Sequence, residues 1–264
     1  MAEGLQHGLL KAAEVARETA TRRAPNGVAY AAFGDNPLPE RDLERLVQAV
    51  PTAIAAALSR KAYYFVPLAL SERRTGEAGE STLVSPVYST ELSDQAICHR
   101  NVPLENADGV FISTRLLGDR FALAFEFFIN VGHAFVDIAG VPESFEQLAW
   151  QQALSDVRGE TSHDAWESRQ QSLSRDKADA KPVTTEGRPS IDERAKTSYL
   201  STAFSDAIAI YLLSLGIDFD YSELREREYP LLAPQPLADR LRLVAKLFPP
   251  NPGYEFAIKY RRRG

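Results

Sequence analysis

Cysteine is almost missing from this chain. Cys98 is the single one in 264 residues, which excludes an intramolecular disulfide and any cysteine-built zinc ribbon. It lies in an apolar, strand-like stretch, so a buried and inert thiol is the expectation. Basic charge is also in deficit. Lys and Arg number 30 against 36 Asp and Glu, giving a formal net charge of −6, and phosphate binding needs the opposite surplus, so nucleic acid is not expected as a partner. The run from Lys259 to Arg263 reads as a solvated basic end. No long hydrophobic run is present either. The longest, around Phe121–Ile129, falls short of the roughly 20 residues that span a bilayer. The amino terminus carries no basic leader followed by an apolar core. The expectation is a cytoplasmic protein without a membrane partner. A G-x-S-x-G elbow and the Gly-rich phosphate loops are absent from the sequence as well, and with them the most recognisable serine-hydrolase and nucleotide signatures.

What is present is ordinary globular material, 44% hydrophobic and 25% charged, in a chain long enough to bury a sizeable core. Apolar spacing predicts a helix over residues 3–23 and a second over 40–59, the latter kinked or split at Pro51. The middle then turns β-like. Ala62–Leu70, Thr82–Tyr88, Gln95–His99 and Val110–Ser113 read as short strands of one small sheet, with Pro67 at an edge or a strand end. Helices are predicted next at Phe121–Gly140, from Pro142 to about Val157, near Asp164–Leu173, over Ile191–Leu215 and over Leu237–Leu247. Residues 158–190 are polar and poor in aliphatics, which suggests a flexible excursion. The fold class is therefore α+β. Its expected organisation is an N-terminal helical segment (1–59), an α+β domain (60–250) containing the 158–190 excursion, and a C-terminal tail (251–264).

The stretch Phe121–Gly140 carries the chemistry. Its polar breaks are Glu126, Asn130, His133 and Asp137, and His133 and Asp137, four apart, share one helical face. An imidazole and a carboxylate in register on an apolar helix are either a satisfied polar pair in a core or the floor of a site. Asp206, on the second long apolar helix, could join them to give one imidazole and two carboxylates, a set suited to a divalent metal. His99 beside Cys98 is a weaker candidate ligand. His7 and His163 read as solvated, and Glu160–His163–Asp164 as a surface loop without an apolar scaffold.

The order of elements and two motifs resemble the zincin metallopeptidases of the anthrax lethal factor type. Phe128 to Asp137 (FINVGHAFVD) is similar to the family's L-H-E-x-G-H-A-x-x-D stretch, matching at Gly132, His133, Ala134 and Asp137. Thr202 to Ala207 (TAFSDA) resembles its E-F-F-A-E-A segment. The resemblance implies a small mixed sheet packed with long apolar helices. It also implies that Ile129 stands at the first zinc-ligand position, Asn130 at the general base and Thr202 at the third ligand. Isoleucine cannot coordinate a metal and an amide cannot act as a carboxylate base, so a binding energy of roughly 10–16 kcal/mol for a structural zinc would largely be lost. Loss of the base alone would slow hydrolysis on the order of a hundredfold to ten-thousandfold.

Two readings follow from the resemblance. One is a catalytically silent zincin-like domain, without cofactor, that binds a protein or peptide partner. The other is a metal-dependent hydrolase re-tasked around His133, Asp137 and Asp206, with a divalent ion such as zinc. A third possibility places the function in the 158–190 excursion, ordered by a partner.

Overall fold

Lys61–Val66 is apolar in both of its alternating sets: Ala62, Tyr64 and Val66 face one way, Tyr63 and Phe65 the other, and all five are buried. A strand covered on both faces reads as a continuous apolar run, the signature of a parallel interior strand. The computed structural model places it there. Residues 8–73, 80–173, 184–185, 188–189, 191–217, 219–221 and 229–259 are described. The chain is α+β and divides into two units, Met1–Phe127 and Phe128–Gly264.

The first unit runs β1 (Leu10–Lys11), α1 (Ala12–Glu18), β2 (Arg22–Arg23), β3 (Ala29–Ala32), α2 (Glu40–Gln48), α3 (Thr52–Ala57), β4 (Lys61–Val66), β5 (Leu68–Arg73), β6 (Glu80–Ser85), α4 (Thr90–Ser93), β7 (Ala96–Ile97), β8 (His99–Pro103) and β9 (Asp108–Ser113). It closes with the first turns of α5 (Arg120–Ala139). The strands form two sheets rather than the one expected: a five-stranded sheet ordered β2-β3-β4-β9-β8 and a four-stranded sheet ordered β1-β6-β5-β7. Pro67 separates β4 from β5, so the single run Ala62–Leu70 feeds both sheets. Ser113 stitches them together, its hydroxyl accepting from the Ala69 amide at 2.7 Å and donating to the Ile97 carbonyl at 2.5 Å. Ala62, Tyr64 and Val66 pack with Ala12, Val15, Val84 and Phe111 on one side of β4. Tyr63 and Phe65 meet Phe127 of α5 on the other, with ring centroids 5.0 and 5.6 Å apart.

The N-terminal 59 residues are not a separate helical segment, because they supply β1, β2 and β3 to these sheets. The helix expected over 3–23 shrinks, among its described residues, to Ala12–Glu18; Leu10 and Lys11 pair instead with Val84 and Leu83. β3 was invisible to pattern because its sequence, AYAA, has the alanine content of a helix. Burial between β2 and β4 overrides that propensity. Pro51 does split the second predicted helix, as the N-cap of α3. The freed carbonyls at the end of α2 are taken by Asn26, whose amide donates to Val47 at 2.9 Å and to Val50 at 2.7 Å.

The second unit contains the remainder of α5, then α6 (Glu143–Leu154), α7 (His163–Ser172), the small hairpin β10 (Thr184–Thr185) and β11 (Arg188–Pro189), α8 (Glu193–Gly216) and α9 (Pro234–Leu247). Helix starts follow side-chain chemistry. Ser162 accepts from the Ala165 amide to cap α7, and Asp192 accepts from Arg194 and Ala195 to cap α8. From Ala203 to Leu213 every residue of α8 is buried. α5 and α8 are both long and apolar enough to cross a membrane by length and composition, contrary to the expectation from the sequence, yet both are largely buried in the protein. That burial is compatible with a soluble protein.

The excursion expected over 158–190 begins later than predicted. Residues 158–173 are ordered into the core, with Glu160 and Arg169 buried and α7 packed along α8. Residues 174–183, 186–187 and 190 lie outside the described residues. The tail 251–264 is not wholly detached either, since the Tyr221 amide donates to the Lys259 carbonyl at 3.0 Å and Phe256 packs edge-on against Tyr211.

Candidate functional site

Within the second unit, α5 and α8 approach closely at a glycine. A Cβ on Gly132 would lie 2.6 Å from the Ser205 carbonyl oxygen, a separation that only a missing side chain permits. One turn on, Phe135 and Phe204 extend the contact. Gly132→Ala therefore sets two effects against each other. Helix propensity favours alanine by about 1 kcal/mol, whereas forcing an atom against the α8 backbone costs typically about 1–3 kcal/mol. Overlap with backbone should win, and we expect Gly132→Ala to lower the melting temperature; a rise would show that the helices part without strain.

Around this crossing lie the residues singled out by sequence. Asn130 is buried and Ile129 and Thr202 are half-buried. The Thr202 carbonyl accepts from the Ser205 hydroxyl at 3.0 Å. His133 and Asp137 are both exposed on α5. Asp206 is buried and accepts a hydrogen bond from the Thr161 hydroxyl at 2.8 Å. Burial pushes its carboxyl up to about 6; the hydroxyls of Ser162 and Thr161 and the charge of His133 pull it down, while Glu160 pushes it up. His133 and Asp206 thus feel each other electrostatically. The Asp206 oxygens, however, are turned to the hydroxyls ahead of α7.

These donors do not suit zinc. Ile129 and Thr202 offer no strong ligand at the two positions where the resemblance requires one, and Asp206 is committed to hydroxyl donors. Among the described residues, no three His, Cys, Asp or Glu side chains form a group able to hold a metal ion.

The remaining sequence candidates sit elsewhere. His99 pairs through Nδ1 with Glu126, in the first unit. Cys98 is exposed, not buried as expected, because the chain there passes between β7 and β8. Partial burial and then the Glu126 carboxylate push its thiol up, which disfavours the reactive thiolate. His163 is half-exposed, 3.9 Å from Glu167 and edge-on to Tyr229. His7 lies outside the described residues.

The polar centre that sequence reasoning missed is Glu160, read as part of a surface loop and in fact fully buried. Gly159 permits its position. That glycine has φ +81°, and a Cβ there would fall 1.9 Å from the Leu231 carbonyl oxygen, so the two backbones can lie side by side. The Glu160 amide donates to Pro230 at 3.0 Å, and its carbonyl accepts from Leu232 at 2.9 Å. Its carboxylate takes Arg240 Nη1 at 2.9 Å, Arg169 Nη1 at 3.2 Å and the Tyr199 hydroxyl at 2.8 Å. Gln152 completes the set by accepting from Arg240 Nε at 2.7 Å. Arg169 and Arg240 are as buried as Glu160. Two cations against one anion leave a buried surplus of positive charge. Asp156, 4.0 Å from Arg169 and largely exposed, compensates it weakly. Burial holds the Tyr199 phenol far above its ordinary range, so it stays a donor. The partners come from α6, α7, α8 and α9, positions 152, 169, 199 and 240, and no local pattern connects them.

No family model matches the sequence, and no curated protein matches it significantly.

Proposed function

We propose that this chain is a catalytically silent zincin-like domain that acts as a protein-binding module in the cytoplasm, with a protein or peptide rather than nucleic acid as its partner. One observation carries the reading. At the α5–α8 crossing, where Gly132 meets Ser205, the residues aligned with ligand, base and ligand are Ile129, Asn130 and Thr202, and none of them can perform the chemistry that position requires. The exposed α5 side chains His133, Asp137 and Ile138 leave that helix with an outward face of mixed character, the kind of surface a partner can read. The competing reading, a hydrolase re-tasked around His133, Asp137 and Asp206, draws on the electrostatic reach between His133 and Asp206.

Metal analysis of protein purified without chelator, alongside a peptide-library cleavage assay, separates the two. The silent-module reading expects substoichiometric metal and no cleavage above blank, both unaffected by His133→Ala. Stoichiometric zinc that disappears on His133→Ala, or cleavage that does, would contradict it.

A further inference from the structure

The buried charge count around Glu160 bears on α9, independently of the reading above. Arg240 is the buried arginine that α9 contributes, and it points at Glu160, Tyr199 and Gln152. Arg169 reaches the same carboxylate from α7 and also donates to the Gly159 carbonyl at 3.0 Å. With α9 docked, one carboxylate faces two guanidinium groups, and Arg169 Nε is buried without a partner. With α9 withdrawn, Arg240 is hydrated and Glu160 keeps Arg169 as a balanced one-to-one pair. Charge therefore works against docking, while the apolar side chains of Leu237, Leu241 and Val244 work for it. The lead-in to α9 adds only backbone bonds, from Leu232 to Glu160 and from Ala233 to Arg158.

We propose that α9 and its lead-in strand, residues 229–247, form a releasable arm held by the single carboxylate of Glu160, a unit that opens before the rest of the second unit unfolds. Opening uncovers the side of α6 and α8 that carries Gln152 and Tyr199. The geometry favours this arm over α7 as the element released, because Arg169 is held by Gly159 and Ala153 carbonyls in addition to the acid.

Native-state hydrogen exchange on the full chain, at increasing sub-denaturing guanidinium, tests this. Amides of residues 237–247 should exchange through a sub-global opening at least about tenfold more populated than the one that exposes amides of residues 207–213. Glu160→Gln keeps the side chain's size and removes its charge. It should raise exchange in 237–247 by about a hundredfold and leave 207–213 within about threefold of the wild type. Identical exchange of the two segments in wild-type protein, merging at one global limit, would overturn the proposal. So would Glu160→Gln lowering protection equally in both. Should the variant not fold, the wild-type comparison still decides.

Discussion

Glu160→Ala is expected to lower the unfolding free energy by about 3–5 kcal/mol, the range for removing one partner of a buried ion pair. That is a large part of the total stability of an ordinary domain, about 5–15 kcal/mol. The reason is not the loss of favourable bonds alone. Arg169 and Arg240 would remain at essentially zero exposure with no counter-charge between them, and an unpaired buried cation is far dearer than an unmade hydrogen bond. A triple substitution isolates the charge from the packing. Glu160→Leu combined with Arg169→Met and Arg240→Met removes all three charges and keeps apolar volume, and replacing whole buried ionic sets this way is often neutral or stabilising. Urea midpoints measure both. A loss under about 1 kcal/mol for Glu160→Ala, or a triple variant no better than the single, would mean that water already reaches these groups.

The same residue shows why part of this fold could be read from sequence and part could not. α5 was legible because twenty residues of nearly unbroken apolarity end on Gly140 and begin after Asp119, whose carboxylate accepts from the Ala122 amide at 2.6 Å. The break at Pro51 was legible because proline's missing donor acts locally. α8 was legible for the same reasons as α5. Glu160 was not, because its flanks, RGETSHD, read as a solvated loop. What buries it is the convergence of Arg169, Tyr199 and Arg240 from three helices. A charged residue's burial depends on partners far away in sequence, and periodicity carries no record of them. β3 failed differently: four small residues were enough because neighbouring strands covered both faces. At the α5–α8 crossing, the contact of Gly132 with Ser205 was foreseeable from a glycine inside an apolar helix, whereas the hydroxyls of Thr161 and Ser162 over Asp206 were not, since they belong to the same misread loop.

Asp206→Asn should act in the opposite direction and stabilise the protein at neutral pH. Its carboxyl is pushed from an ordinary 3.8 to about 6 in the folded protein, so between those values the folded state holds a proton that the unfolded state has released. The sign follows from proton linkage. Stability contributed at this position is highest below about pH 4 and lost as pH rises through 6; above that the burden is full and constant. Two units of displacement correspond to at most about 3 kcal/mol. Asparagine keeps an oxygen for the Thr161 and Ser162 hydroxyls but brings an amide donor that needs its own partner, which takes back about 1 kcal/mol. The net gain expected at pH 7 is about 1–2 kcal/mol. Urea titrations of wild type and Asp206→Asn from pH 4 to pH 8 should diverge between pH 4 and pH 6 and run parallel beyond. A difference independent of pH, or a variant less stable than the wild type at pH 7, would mean that the ionised carboxylate is welcomed by its two hydroxyls and His133 more than burial opposes it. One buried acid in this unit is thus indispensable because two cations depend on it, and the other is a burden because only hydroxyls and an exposed imidazole answer its charge.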